Sequence, residues 1–142
     1  MKKIILMLLL AFLAVFCANP AISANLNEMS DEEAMALLAA EPPLTQTDID
    51  TFVKHAPELQ KAAEVDNETA YLEVIKEIGW TEIRAAYIHI KIGMAWAASE
   101  DPESAAMMQA LFPPEMLPLP EERALVDKNM DKIKPFFNEE TE

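Results

Sequence analysis

The side chains in this sequence best suited to chemistry are two histidines, His55 and His89, and two cations seven residues apart, Arg84 and Lys91. A helical bundle can hold haem between a His and a Met on facing helices. The chain has no C-x-x-C-H, which leaves only non-covalent haem or a metal held through His89 or His55. Carboxylates working with Arg84 and His89 would instead make a small hydrolase or lyase site. A third possibility is a cationic pocket for an acidic ligand or a carboxylate terminus, lined by Arg84 and Lys91 with Tyr87 and Trp80 as walls. Each has a plainer counterpart. A single His on a mostly buried helix is satisfied by a carboxylate or a carbonyl. Two cations in an acidic chain pair with acids such as Glu73, Glu77 or one on the last helix.

Other chemistries find no support. The serines after residue 24 are Ser30, Ser99 and Ser104, each where a helix begins or ends and none in a nucleophile elbow. No glycine-rich phosphate loop or zinc-protease helix motif occurs. Asp48-Ile49-Asp50 resembles the opening of a calcium loop but lacks the turn glycine and the terminal Glu at the right distance. Asn67-Glu68-Thr69 matches a glycosylation sequon, and Asn67 serves better as a helix cap. No catalytic residue, metal ligand set or cofactor is assigned.

The amino terminus reads as an address. Lys2 and Lys3 precede an unbroken apolar run from Ile4 to Cys17, Asn19-Pro20 breaks it, and Ala21-Ile22-Ser23-Ala24 supplies small residues. The pattern predicts a Sec-type signal peptide over residues 1–24 and a periplasmic or secreted product beginning at Asn25. Bulky Phe16 beside Cys17 argues against lipid attachment. The product would be a single all-helical domain over 25–142, with no cysteine and hence no disulfide. Nine Lys/Arg then face twenty-five Asp/Glu, a net charge of −16. Such a surface repels nucleic acid and anionic membrane, and favours cationic partners or plain solubility. No integral membrane segment is expected after cleavage.

Elements able to position the candidate residues follow from start and stop signals. Ser30-Asp31-Glu32-Glu33 is a capping box opening a helix to about Ala40, and Pro42-Pro43 ends it. Thr45 caps the next, whose stripe is Ile49, Phe52, Val53, Ala56, Leu59 and Ala63, with a kink or break expected before Pro57. Asn67 opens a helix to Ile78, and Gly79 ends it so that Trp80 folds back on Ile75.

The run AYIHIKIGMAWA (Ala86 to Ala97) is ambiguous, because Ile88, Ile90 and Ile92 alternate as in a strand. Its neighbours decide for helix. From 82 to 98, Ile83, Ala86, Tyr87, Ile90, Met94 and Ala97 share one face, and Ala85, Ile88, Ile92 and Trp96 the opposite one. Only narrow polar stripes remain, Arg84 with Lys91 and Glu82 with His89. A helix apolar on two sides is buried between partners, and Gly93 would let one approach closely.

Asp101-Pro102-Glu103 starts another helix, ending at Phe112. LFPPEMLPLPEE then makes an extended proline-rich connector in which Phe112, Met116 and Leu119 either cover the bundle or offer a docking segment. Pro120 opens the last helix, with Leu125, Val126, Met130 and Ile133 inward, and an acidic tail frays from about 138.

The expected fold is a five- to six-helix all-α bundle around a buried central helix. Function is read as a non-enzymatic binding or interaction module of unknown protein or small-molecule partner. It would use a groove along the central helix and the connector, with Trp80, Arg84, Tyr87, His89, Lys91, Phe112 and Met116 as contact residues. Methionines at 94, 107, 108, 116 and 130 either line that groove or fill the core.

Overall fold

The computed structural model describes residues 30–64 and 68–137. The signal peptide, Cys17, the Asn67 cap and the acidic tail from 138 lie outside the described residues. Within them the chain is all helical, with no strand. Seven α-helices follow in order: α1 (Asp31–Ala40), α2 (Gln46–Glu64), α3 (Glu68–Ile78), α4 (Glu82–Glu100), α5 (Pro102–Leu111), α6 (Pro120–Lys128) and α7 (Met130–Phe137), with a 3-10 turn at Pro114–Met116 in the connector.

Local chemistry sets these boundaries. Ser30 Oγ accepts the Glu33 N–H while Glu33 accepts the Ser30 N–H, a reciprocal box that satisfies two otherwise unpaired donors. Thr45 and Asp48 repeat the exchange ahead of α2. At the end of α3, Trp80 N–H donates to Ile75 O and Gly79 N–H to Lys76 O, the paired bonds of a Schellman ending. Gly79 makes this possible with φ of +85°, a conformation costly for any residue with a Cβ. Thr81 caps α4 through the Arg84 N–H. Asp101 ends α4 and caps α5, its carboxylate accepting the Glu103 N–H and the Ser104 hydroxyl.

One expectation changes and another is narrowed. Among the described residues the count is seven helices rather than five or six, because the last segment divides at Asn129. There the Asn129 amide donates to Leu125 O and to Gln46 Oε1, and its side-chain oxygen accepts from Gln46. A side chain that competes for backbone groups and is clasped by a distant helix ends one helix and starts the next. Pro57 does not split its helix: α2 runs from Gln46 to Glu64 with Pro57 inside it. Pro57 is exposed, so water can serve the carbonyl it leaves without a helical donor.

Helix α4 is the hub. Every residue from Ala85 to Ala98 except Ile90 is buried. Helices α1, α3, α5, α6, α7 and the 3-10 turn pack on it, and Phe52 of α2 meets its His89. The strand-like alternation dissolves on the helix: Ile88 and Ile92, one turn apart, are fully enclosed while Ile90 is half-buried. Each enclosed isoleucine contributes about 1.5–3 kcal/mol through area removed from water. The main core joins α4 to Ile49 and Phe52 of α2, Val126 of α6 and Ile133 of α7. A smaller cluster holds Leu59, Ala62, Tyr71, Ile75 and Ala85, and Trp80 packs against both.

Candidate functional site

Helical spacing puts Arg84, Tyr87 and Lys91 of α4 on one side, one turn apart. Both cations lie over the Tyr87 ring, the Arg84 guanidinium carbon 5.1 Å and Lys91 Nζ 5.0 Å from its centroid. That is within the range of cation–π attraction. The ring is buried, and its hydroxyl donates to Glu122 Oε2 at 2.8 Å.

Glu122 is the anchor of this cluster, and it is fully buried. Standing third in α6, it turns back to accept the Leu119 N–H through Oε1 at 2.9 Å. Its other oxygen accepts the Leu44 N–H at 3.0 Å, from the loop between α1 and α2. Lys91 Nζ lies 3.9 Å from Oε1. A carboxylate removed from water is tolerable only when its lone pairs are satisfied, and here three donors and a cation do so.

Each cation ties down a different loop. Arg84 reaches the α1–α2 loop, donating to the carbonyls of Pro42 and Pro43 and pairing with Asp48 and, at 3.5 Å, Glu41. Its partners are therefore not Glu73 or Glu77. The planar fork of a guanidinium suits this spread of acceptors, and a lysine could not reproduce it. Lys91 reaches the connector, donating to the carbonyls of Glu115 and Leu117, and its acid partner Glu122 does belong to the segment opened by Pro120. Burial lowers the Lys91 pKa, with the Glu122 and Glu115 charges acting in the opposite direction. Burial first, and then the hydrogen bond to Glu122, raise that of Tyr87. The cluster thus behaves as a latch that fastens both proline-bearing loops to α4.

His89 stands apart from it. Buried, it meets the edge of Phe52 at 5.2 Å between centroids, and its Nδ1 lies 2.7 Å from Ala85 O. A carbonyl is only an acceptor, so Nδ1 carries the hydrogen. Desolvation lowers the imidazole pKa to about 4, partly opposed by the Ala85 bond, and the ring is neutral at physiological pH. His55, on α2, instead approaches Glu58 at 3.5 Å. Among the described residues no group of three His, Cys, Asp or Glu is arranged to hold a metal ion.

Trp80 is half-buried between the two core clusters. Phe112 and Met116 are half-buried against the main core, so the connector covers the bundle at those points. Met94 and Met108 are core, Met116 and Met130 sit at its edge, and Met107 is exposed. Of the candidate set, the fold brings Arg84, Tyr87 and Lys91 together and leaves His89 elsewhere. Sequence reasoning missed Glu122, whose signal was its position three residues after Leu119 at a proline-started helix.

No protein-family model matches the chain, and neither the curated proteins nor the solved structures offer a significant match. No helix among the described residues is long and apolar enough to cross a membrane.

Proposed function

We propose that the protein is an exported, acidic, non-enzymatic binding module that meets its partner through exposed faces of α1, α5 and the connector. The observation that carries this reading is the distribution of exposed large apolar side chains. Among the described residues these are Leu37 on α1, Met107 and Leu111 on α5, and Leu119 at the end of the connector. Helix α1 packs on the 3-10 turn, and α5 leads into it. Single exposed leucines are ordinary; four large apolar side chains exposed on α1, α5 and the connector between α5 and α6 support an interaction surface formed by those elements. The polar groups of α4 support the same reading by their engagement: Arg84, Tyr87 and Lys91 bind Glu122 or the loops, and His89 is neutral and buried.

Export rests on the charged, apolar and small-residue regions of residues 2–24, with a mature chain beginning at Asn25. A photo-cross-linking residue placed at position 111 in cells tests the module. An adduct with another protein at 111, and none from position 73 on α3, is the expected result. Equal labelling at both positions, or none at 111, would remove the proposal. Intact mass of the protein from the periplasmic fraction checks processing after Ala24.

A further inference from the structure

We infer that the outer face of α5 docks an amphipathic helix bearing basic residues, an inference that rests on the binding-module reading and names its partner's chemistry. The face has two columns at helical spacing. Ala106 and Ala110 form one, Met107 and Leu111 the other, and all four are exposed while Ser104 and Met108 point into the bundle. A column of small residues beside a column of large ones forms a ridge and a groove, the relief into which a second helix packs. Methionine adds a flexible surface that adapts to the occupant. Helix α1 repeats the arrangement in shorter form, with Ala36, Leu37 and Ala40 exposed.

Charge selects among occupants. Glu103 precedes Met107 by one turn on the same stripe, and Glu33 stands in the same relation to Leu37. Glu100 and Glu115, both exposed, bracket α5 in sequence. From Ile92 to Glu122 the chain holds six acids and neither Lys nor Arg, and four of the six, Glu100, Glu103, Glu115 and Glu121, are exposed while Asp101 and Glu122 are buried. The two cations nearest in sequence on the N-terminal side, Arg84 and Lys91, are turned inward to the latch. A second copy of this chain would set Glu100, Glu103 and Glu115 against their own kind, in a protein of net charge −14. An anionic membrane is repelled for the same reason. An apolar stripe flanked by Lys or Arg on a helix complements both the relief and the charge.

The test uses the processed full-length protein and a fluorescein-labelled Leu/Lys peptide of about 18 residues, roughly five turns, with leucines on one face. Anisotropy should report saturable binding that weakens several-fold as salt rises from about 50 to about 300 mM. Met107→Gln/Leu111→Gln should weaken it by about tenfold or more, with the circular dichroism spectrum unchanged. Glu100→Gln/Glu103→Gln/Glu115→Gln should weaken it several-fold, and a scrambled peptide of the same composition should bind about tenfold less tightly. Equal affinity of the scrambled peptide, or of the Met107/Leu111 variant, would reduce the interaction to bulk charge and overturn the inference. So would a dimer in sedimentation equilibrium that the same variant dissolves, or flotation with phosphatidylcholine vesicles that it abolishes. Absence of peptide binding alongside a position-111 adduct in cells would end this inference while leaving the module; absence of both would end both.

Discussion

The inner side of α4 and the outer side of α5 reverse the usual placement of side chains. On α4, Tyr87 and Lys91 are buried with Glu122, Arg84 is half-buried beside them, and the group fastens two loops. On α5, one short connection later, Met107 and Leu111 are 42% and 61% exposed. Both arrangements oppose a simple free-energy gradient, since burying charge and exposing apolar surface are each unfavourable in isolation. The first is offset by near-complete pairing, and its result is a defined geometry for the proline-bearing loops. The second has no offset within the described residues, and a docked partner would supply one. Groups that look chemical hold the bundle together, and groups that look like core face outward.

The largest effect expected from breaking this contrast is at Glu122. Glu122→Ala would leave Leu44 N–H, Leu119 N–H and the Tyr87 hydroxyl without their shared acceptor and Lys91 without its paired charge, and urea unfolding should register a loss of about 3–5 kcal/mol. Next is acid. His89 has a folded pKa of about 4, below its ordinary 6.5, so the unfolded chain binds the proton more readily. The contribution is full above pH 6.5 and is lost as pH falls from there to about 4, on the order of 3 kcal/mol in all. The wild-type stability profile minus that of His89→Gln isolates it. Tyr87→Phe removes one buried hydrogen bond to a carboxylate while keeping the ring under both cations, and should cost about 1.5–3 kcal/mol by the same unfolding assay. Smallest is the outer face: Met107→Gln/Leu111→Gln should move stability by no more than about 0.5 kcal/mol per substitution. A large loss there would mean that α5's outer side is structural and that the contrast is false.

Much of the fold was legible because it is written in local chemistry. Ser30, Thr45, Gly79, Thr81 and the Asp101-Pro102 pair each set a boundary through bonds to residues at most five positions away. Two-sided apolarity over 82–98 identified the central helix because burial on all sides requires it. What could not be read depends on distance along the chain. Arg84 finds Asp48 and Glu41 across 36 and 43 residues, and Asn129 finds Gln46 across 83. No periodicity encodes such pairs. The division at Asn129 and the true partners of Arg84 were hidden for that reason. Met94, Met107 and Met108 are alike as residue types, yet the packing of α5 on α4 buries two of them and leaves Met107 in water.

That difference among methionines supplies the most direct measurement. Labelled at the ε-methyl carbon, each methionine reports its own surroundings in one NMR spectrum, with Met94 and Met108 as enclosed probes and Met107 as the exposed one. Titration with the Leu/Lys peptide should shift or broaden the Met107 resonance and leave Met94 in place. A peptide-induced shift at Met94 with Met107 unmoved would contradict the account, since it would put the binding surface at α4 rather than on the outer side of α5.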